Sequence, residues 1–299
     1  MQLIDPDVIL IDEKDPFKKI EMAARTCYKS EASITDDSAR KMFKRLASAG
    51  HTAMMEHATF VFQMCDDMPL AEEIALMACK YLNVTRNSRR VLVSGNLRAI
   101  NESKMPCLLN ALIAYDPMLS YEQNTTILDP LGVTAKIIDF ESLPDKSQAE
   151  ILAHRYTTMR FTVDRAVSHE LVRHRPFSYA QVSQRYVNYS LDKFGAGNIK
   201  FIQPSEFDSW SIEAKEEFLH ALSESEKSYN ALVKYGLVPQ QARGVLPNAT
   251  QTEIVVTGND KEWQHFFNLR AKGTTGKPHP DMQLVANIAL SLYEERYKK

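Results

Sequence analysis

The sequence predicts an α+β fold in which long helices surround a small, mostly antiparallel sheet. Alternating or β-branched residues mark short strands at 57–64, 158–164 and 250–258. Apolar residues at helical spacing mark longer segments, including an amphipathic helix at 211–235. The chain of 299 residues is 44% hydrophobic and 25% charged, which is an ordinary globular composition. Few strands among long helices are typical of the α+β class.

The first half of the chain predicts two helices on either side of a strand, followed by an irregular stretch. Residues 38–50 have one apolar helical face and end at Gly50, a residue that commonly follows a helix. Strand 57–64 comes next, and residues 70–82 return to helical spacing. Prolines and mixed polar residues at 101–145 break the periodicity, so we expect an irregular insertion there.

The second half predicts a strand that leads directly into a helix. After strand 158–164, Asp164 is placed to cap a helix through residues 165–175, which Pro176 then stops or kinks. Asn259 or Asp260 is placed to cap a later helix. The remaining predicted elements are helix 211–235, a short helix from Pro239, strand 250–258, helix 260–270 and a last helix at about 281–297.

Charge and composition exclude several classes of protein. The net charge is -2, and a protein that grips a long nucleic acid usually has a basic surplus, so any anion site must be local. No apolar run approaches the length of a membrane span, and the first residues are acidic where a signal peptide is basic. The four cysteines follow no zinc-ligand spacing, and no metal site is expected. We therefore expect a cytoplasmic enzyme or binding protein.

One short stretch concentrates the chemistry of anion binding. In ELVRHRPFSYAQVSQRY, residues 170–186, Ser178, Ser183 and Arg185 supply hydroxyl and guanidinium donors that suit a phosphate. Gln181 offers both a donor and an acceptor, as the edge of a planar ring requires. Basic residues near a helix end are also common on solvated faces, because they favour the helix dipole. From the residues alone, the stretch predicts a local site for an anion and a planar ring.

The pattern R-H-R, seven residues, S-x-R at 173–185 closely resembles the signature of the flavin-dependent thymidylate synthases. Further segments resemble that family in the same order: AARTCY at 23–28, GHTAMMEHATFVF at 50–62, ARGVLP at 242–247 and TGNDKEWQHFFNLR at 257–270. The likeness covers about 1–64 and 157–299. We therefore expect residues 1–299 to form a single catalytic domain, with 65–156 as a family-atypical insertion after the first core strand.

This resemblance implies an activity and its cofactors. The family has an α+β fold and forms homotetramers whose active sites lie between subunits. It converts dUMP to dTMP, with methylenetetrahydrofolate as the carbon donor, NADPH as the reductant and FAD as the flavin that passes on the hydride. The resemblance thus implies dUMP, folate, NADPH and FAD as ligands, and neither nucleic acid nor membrane as a partner.

The resemblance also assigns roles residue by residue. It implies dUMP contacts at Glu170, Arg173, Gln181, Ser183, Arg185, Arg243 and Arg270. It implies FAD contacts at His51, Glu56, Arg173, His174, Arg175, Ser178, Gln181, Asn259 and His265. Catalytic roles are expected for Arg270, which would stabilise charge on the pyrimidine, for His51 and for Ser183, the last as a phosphate or ring contact rather than a nucleophile. At Ala53, Ala180 and Lys261 the chain departs from residues that some members have.

Two other classes stay open. An NADPH-dependent flavoprotein reductase of another purpose would use the same flavin positions. A single-stranded nucleic-acid-binding protein would place the arginines on phosphates and stack Phe177, Tyr179 and Tyr186 on bases. The residues around Cys107 do not match the surroundings of a nucleophilic cysteine, so we expect this cysteine to be dispensable.

Overall fold

The structure is a computed structural model that describes residues 1–121, 125–191 and 195–297. The strands are β1 Gln2–Ile4, β2 Asp7–Leu10, β3 Thr59–Met64, β4 Leu82–Arg86, β5 Val91–Asn96, β6 Ala135–Ile138, β7 Tyr156–Asp164, β8 Ser178–Gln181, β9 Lys200–Ile202 and β10 Gln251–Asn259. The α-helices are α1 Pro16–Tyr28, α2 Ser38–Ser48, α3 Leu70–Ala78, α4 Leu97–Ser103, α5 Pro106–Tyr115, α6 Gln148–His154, α7 Arg165–Leu171, α8 Ile212–Lys234, α9 Pro239–Ala242, α10 Asp260–Arg270 and α11 Pro280–Tyr297. The α+β class is confirmed. Within these ranges, no helix combines the length and apolar character needed to cross a membrane.

The first sheet carries three of the predicted site residues, Ser178 and Gln181 on β8 and Asn259 at the end of β10. Its order is β2-β7-β10-β8, and every neighbouring pair is antiparallel. The two long strands pair along their whole length, from Gln251 opposite Asp164 to Asn259 opposite Tyr156. β8 pairs with the other edge of β10 and places Gln181 opposite Ile254. The R-H-R segment before β8 is thereby brought beside α10, which directly follows β10.

The second sheet is built largely from residues 65–156, the predicted insertion. Its order is β4-β5-β3-β6, again antiparallel. The expectation of an irregular stretch at 101–145 is wrong for α5 and β6, which are regular elements. Leu108 and Leu112 of α5 are fully buried, so tertiary packing orders a segment whose prolines had suggested a loop. A small third unit pairs β1 with β9 in parallel.

The predicted N-terminal caps of the two helices that follow β7 and β10 are confirmed. The Asp164 carboxylate accepts from the backbone N–H of Val167 at 2.6 Å, and the Asn259 amide oxygen accepts from that of Glu262 at 3.1 Å. Such caps satisfy backbone donors that have no partner within the helix. They also fix where β7 and β10 turn into α7 and α10.

Two predicted helices end earlier than expected. α7 ends at Leu171 rather than near Arg175, and the chain then turns, with Phe177 N–H bonded to the His174 carbonyl at 3.1 Å. The residue before a proline disfavours helical geometry, and burying Phe177 requires the turn. α3 ends at Ala78 rather than at 82, because Leu82 begins β4.

An aromatic cluster lies beneath the R-H-R turn. Phe177 and Trp263 have ring centroids 4.7 Å apart, and Phe266 lies edge-on to Trp263 at 5.7 Å. The Trp263 indole N–H donates to the Thr157 carbonyl at 3.1 Å, which satisfies its one polar group. Gly258 permits this packing, because a Cβ there would lie 2.1 Å from the Phe177 ring. The turn therefore packs on a close-packed layer of aromatic side chains.

Candidate active site

Three predicted site residues from two distant segments meet at the end of α10. Arg270 donates from Nη1 to Glu170 Oε2 at 2.8 Å and from Nε to His174 Nε2 at 3.1 Å. Glu170 lies in α7 and His174 in the turn that follows it. The guanidinium is thus held by a charged and a neutral acceptor. This double contact fixes its orientation.

Burial and nearby charge keep the His174 imidazole neutral. His174 is only 8% exposed. Burial is the main cause that lowers its pKa to about 4, and the charges of Arg270 and His265 lower it further. Because Nε2 accepts from Arg270, the ring proton is on Nδ1. The His265 ring lies 6.0 Å away, so two predicted flavin positions are neighbours.

Tyr179 fixes the shape of the turn that carries His174. Its hydroxyl donates to the backbone carbonyls of Leu171 at 2.6 Å and of His174 at 2.8 Å. Burial raises the pKa of Tyr179, so the phenol stays protonated and keeps donating. The Phe266 ring contacts the His174 imidazole edge-on at 5.1 Å. Tyr179 thus holds the backbone of the turn, and Phe266 packs against the imidazole.

Gln181 lies on β8 with a fixed amide orientation. Its Nε2 donates to the hydroxyl of Ser168 at 2.8 Å and to that of Thr252 at 3.3 Å. Ser168 is fully buried. These bonds occupy the amide donor and leave the Oε1 acceptor free of any partner among the described residues. The residue can thus accept a hydrogen bond from a ring N–H.

Ser183 and Arg185 continue from β8 along the edge of α1. The Ser183 N–H donates to the Cys27 carbonyl at 2.9 Å, and its hydroxyl accepts from the Arg185 N–H at 3.3 Å. In the described parts of the chain no histidine or carboxylate contacts the Ser183 hydroxyl, so nothing there activates it as a nucleophile. The exposed Arg185 guanidinium lies 5.4 Å from the centroid of the Tyr186 ring.

Arg165 is a candidate residue that the sequence reasoning missed. Burial is the main cause that lowers its pKa, and the charge of Arg243 lowers it further while Tyr189 acts in the opposite direction. Among the described residues no carboxylate forms an ion pair with Arg165 or Arg243. Two guanidinium groups that share a neighbourhood without a counterion form a natural anion site. The sequence did contain a signal for Arg165. An arginine in the first turn of a helix opposes the helix dipole, so its presence there is unusual for a purely structural residue.

Four predicted flavin positions surround two adjoining cavities between the sheets. The larger, of about 370 Å³, is called the cleft and includes Glu56, Arg175 and Ser178 in its lining. The smaller, of about 110 Å³, is called the inner cavity and adds Asn259 to Glu56 and Ser178. The two share five lining residues, namely Glu56, Tyr81, Asn96, Pro176 and Ser178. The cleft has the size of a small-molecule site.

The remaining predicted positions lie apart in the single chain. His51 is exposed just beyond α2, and neither the cleft nor the inner cavity includes it in its lining. Arg173 and Arg243 are exposed as well. Another cavity of about 410 Å³, between Leu10–Lys14 and Ile137–Glu141, contains none of the predicted residues. Volume alone therefore does not locate the candidate site.

Cys107 lies away from these groups, in α5. It is 1% exposed, and its thiol contacts Glu72 Oε1 at 3.6 Å. Burial, followed by the charge of Glu72, raises the pKa of Cys107 to about 12. A thiol that stays protonated at neutral pH is a poor nucleophile.

The fold and the site define an α+β protein with a fixed guanidinium group, an exposed set of arginines and a cleft of about 370 Å³. The family model described as "Thymidylate synthase complementing protein" matches residues 9–96 and 111–297, and the chain belongs to this family.

Curated relatives carry the name flavin-dependent thymidylate synthase. The protein of Corynebacterium glutamicum is 36% identical over 150 residues, which is 45% of this chain and 55% of the relative. That of Geobacter sulfurreducens is 39% identical over 144 residues, which is 48% of this chain and 58% of the relative. The chain thus spans a little over half the length of these relatives.

Solved structures give a weaker likeness. A UMP/dUMP methylase PolB from Streptomyces cacaoi, bound with 5-Br dUMP, has a TM-score of 0.42 and 14% identity. The match covers 99% of this chain and 93% of that one. At this score the likeness carries no conclusion about substrate.

Proposed function

We propose that this protein is a flavin-dependent thymidylate synthase, a methyltransferase that converts dUMP to dTMP with methylenetetrahydrofolate as carbon donor and NADPH as reductant. Family membership and the names of the relatives support the reaction class. The observation that carries the proposal is the meeting of Arg270 with Glu170 and His174, which lie together in a segment about a hundred positions earlier in the chain. A surface arginine would not need two fixed acceptors.

Arg270 is proposed to stabilise the negative charge that develops on the uracil during methylation. Glu170 and His174 hold its guanidinium in place, so little reorganisation is needed when the charge appears. Gln181 contributes a free carbonyl acceptor to a ring N–H, since its amide donor is already used by Ser168 and Thr252. Together they orient the ring and polarise it.

The nucleotide phosphate is proposed to bind the exposed arginines. Ser183 and Arg185 follow β8, and Arg243 shares its surroundings with Arg165. Guanidinium groups bind phosphate through paired, charge-assisted hydrogen bonds. Arg173 is proposed to lie between phosphate and flavin, as the family resemblance implies.

The cleft is proposed to hold FAD. Its volume and the Ser178 and Arg175 side chains in its lining suit a flavin with its phosphates. His174 and His265 lie at the neighbouring end of α10, and Asn259 lines the inner cavity. The flavin supplies hydride chemistry when bound, while these residues bind it, orient it and exclude water.

The active assembly is proposed to be a homotetramer whose sites lie between subunits. In one chain Arg173, Arg185 and Arg243 are exposed, and no hydrogen bond or ion pair joins their described side chains to Arg270. His51 is likewise separate from the cleft lining. Neighbouring subunits would complete the set, because a symmetric assembly can bring exposed groups of one chain against those of another.

A tritium-release assay tests the proposal. The purified protein, with FAD bound, is given dUMP labelled at C5 together with methylenetetrahydrofolate and NADPH. Release of tritium with formation of dTMP is expected. A rate of NADPH oxidation that is the same with and without dUMP would identify a reductase of another purpose instead. Salt-dependent binding of single-stranded oligonucleotides without turnover would favour the nucleic-acid alternative.

A further inference from the structure

Two carboxylates and a thiol meet inside the predicted insertion, away from the candidate active site. Glu72 lies in the first turn of α3, Cys107 in the first turn of α5 and Asp129 in the loop before β6. One atom from each side chain, the thiol sulfur or a carboxylate oxygen, lies within 4.8 Å of the other two. These three residues are called the insertion triad.

Glu72 is buried without a described positive charge to balance it. The residue is 8% exposed. Among the described residues its carboxylate has one hydrogen-bond partner, the Cys107 thiol at 3.6 Å, and no ion-pair partner. The next residue, Glu73, shows the usual arrangement, since it pairs with Arg86 at 2.5 Å. Burying a carboxylate is costly unless it is paired or coordinates a metal, so the surroundings of Glu72 need a cation.

Asp129 adds a buried oxygen that has no hydrogen-bond partner. Its Oδ1 accepts from the Leu131 N–H at 2.9 Å, which fixes the side chain within the turn. Its Oδ2 is buried, and no described group donates to it. Buried polar side-chain atoms nearly always have a partner. An unpartnered oxygen beside a thiol and a second carboxylate therefore indicates that a cation binds between them.

The loop that carries Asp129 is held against α5 by a pair of hydrogen bonds. Asn110 Nδ2 donates to the Ile127 carbonyl at 2.8 Å, and Asn110 Oδ1 accepts from the Ile127 N–H at 2.8 Å. Asn110 follows Cys107 by three residues, so the two side chains lie on one face of α5. One face of this helix thus supplies the thiol and positions the loop that supplies a carboxylate.

The spacing of the insertion triad fits a tetrahedral ion with sulfur and oxygen ligands. Zinc lies about 2.3 Å from a thiolate sulfur and about 2.0–2.2 Å from a carboxylate oxygen, so a tetrahedral angle places the two ligand atoms about 3.5 Å apart. The Cys107 sulfur and Glu72 Oε1 are 3.6 Å apart. Asp129 is partly exposed, which leaves a path for the ion and for a water as the fourth ligand.

The negative surroundings of Cys107 disfavour a free thiolate and favour a metal ion. Burial, followed by the charge of Glu72, raises the pKa of Cys107 to about 12. A divalent cation reverses this preference, because a coordinating thiol loses its proton outright. Calcium and magnesium take oxygen ligands and need six or more in all, whereas zinc accepts sulfur and is satisfied by about four. The thiol therefore selects zinc over both.

We propose that the insertion triad binds one zinc ion, which joins α3, α5 and the loop before β6 and stabilises the insertion. None of the three residues lines the cleft or the inner cavity, so the ion is structural and the inference does not depend on the proposed function. The sequence indicated no metal site because zinc-ligand spacings join residues that are close along the chain. Here 35 positions separate Glu72 from Cys107.

Zinc titration of the whole chain, after treatment with a chelator, tests the inference. We expect one zinc ion to bind per chain and to raise the midpoint of thermal unfolding. Cys107→Ala, Glu72→Gln and Asp129→Asn should each weaken zinc binding by about a hundredfold or more, because each removes a ligand. Cobalt added in place of zinc should give a sulfur-to-metal charge-transfer band in the difference spectrum of the unaltered protein, and Cys107→Ala should lack this band.

Two nearby residues provide matched controls. Glu73→Gln removes the adjacent carboxylate, which pairs with Arg86, and Cys65→Ala removes a partly buried thiol that follows β3. Both variants should bind zinc as tightly as the unaltered protein. Asp129→Asn changes a partly exposed loop residue, so it keeps the test decisive if a variant of the buried residues fails to fold.

Three results would overturn the inference. The first is that the unaltered protein binds no zinc at micromolar concentrations of the free ion. The second is equal zinc affinity in Asp129→Asn and the unaltered protein, and the third is zinc binding without the cobalt band, which would remove the thiol from the ligands. Tight zinc binding by a protein that does not convert dUMP would support the inference and contradict only the proposed function.

Discussion

Arg270 donates its Nε–H to Nε2 of His174 at 3.1 Å, so a permanent cation is bonded to an imidazole that must stay neutral. A protonated His174 would have no lone pair to offer and would repel the guanidinium. The pKa of about 4 at His174 ensures that this does not occur near neutral pH. The same guanidinium is held by Glu170, and its position is therefore independent of pH over the neutral range.

Replacing Arg270 tests whether its fixed charge acts on the transition state. We expect Arg270→Ala to lower kcat by roughly a hundred- to a thousandfold, the scale of a lost oxyanion donor, while the protein still binds FAD. Arg270→Lys should recover little, because lysine cannot donate to both Glu170 and His174 in the same geometry. Steady-state kinetics and the flavin absorbance spectrum measure both effects.

Arg296→Ala serves as the control for this experiment. That arginine is partly exposed and pairs with Asp12 at 2.6 Å on the surface. Its loss should leave kcat within about twofold of the unaltered protein, since exposed ion pairs contribute little. Near-normal turnover of Arg270→Ala would remove Arg270 from the chemistry.

Buried neutral histidines should make the protein sensitive to mild acid. His57 is fully buried, its Nδ1 contacts the Thr257 hydroxyl at 2.9 Å, and burial is the main cause that lowers its pKa to about 3. A folded-state pKa below the unfolded value of about 6.5 gives stability that is present above pH 6.5 and lost as the pH falls towards 3. We expect about 2 kcal/mol of the free energy of unfolding to be lost between pH 7 and pH 5 through this group.

Urea unfolding of His57→Gln at the two pH values checks the assignment. The variant is less stable than the unaltered protein at pH 7, but its free energy of unfolding should fall less on acidification. His220→Gln, on exposed α8, is the matched control and should leave the pH dependence unchanged. Parallel pH profiles of His57→Gln and the unaltered protein would show that another group is responsible.

Local signals in the sequence predicted most of the framework. The Asp164 and Asn259 caps, the long strands β7 and β10 and helix α8 all follow from turn chemistry and periodicity, which depend on neighbouring residues. The early end of α7 could not be predicted in this way, because it depends on where Phe177 is buried against Trp263.

The site was less accessible to sequence reasoning than the framework. Arg270 and His174 are 96 positions apart, and only the family resemblance joined them. Arg165 was missed because its significance depends on Arg243, which lies beyond α8 in the sequence. The Asn83–Tyr156 contact was missed for the same reason, since its two strands belong to different sheets. Spacing within one segment carries no information about such encounters.

Mixing one variant impaired in phosphate binding with one impaired in chemistry, assayed at low dUMP, tests whether the active sites lie between subunits. Arg243→Ala and Arg270→Ala, unfolded or dissociated together and reassembled, should recover about a quarter of normal activity if the two arginines reach one site from different chains. In an equal mixture half of the subunits carry an intact Arg243 and the other half carry an intact Arg270. A site that takes one arginine from each of two chains is therefore complete in about a quarter of cases. Activity before and after reassembly is the measurement.

The control mixture combines Arg270→Ala with Glu170→Gln. These two residues touch within one chain, at 2.8 Å, so no site in the mixed assembly contains both intact. No recovery is expected from this mixture. Absence of recovery in the Arg243 mixture as well would mean that each site uses both arginines of a single chain.

Cys107→Ala should retain full activity. The thiol is buried and its pKa is raised to about 12, so it offers neither access nor a thiolate to the uracil ring. A modest loss of stability is expected because the smaller side chain leaves space in the core. Turnover and thermal unfolding separate the two effects. Loss of turnover with FAD still bound would identify Cys107 as part of the chemistry after all.

Arg165→Gln should weaken binding of the nucleotide through its phosphate. We expect the KM for dUMP to rise by about tenfold, because one charge-assisted contact is lost, while kcat changes little. Deoxyuridine, which lacks the phosphate, should react equally poorly with both proteins. Arg165 begins α7, where a positive charge opposes the helix dipole, so the variant should unfold at the same temperature or slightly higher. Arg89→Gln, an exposed arginine paired with Asp145, is the control. Equal losses with dUMP and deoxyuridine would show that Arg165 shapes the turn rather than holding the phosphate.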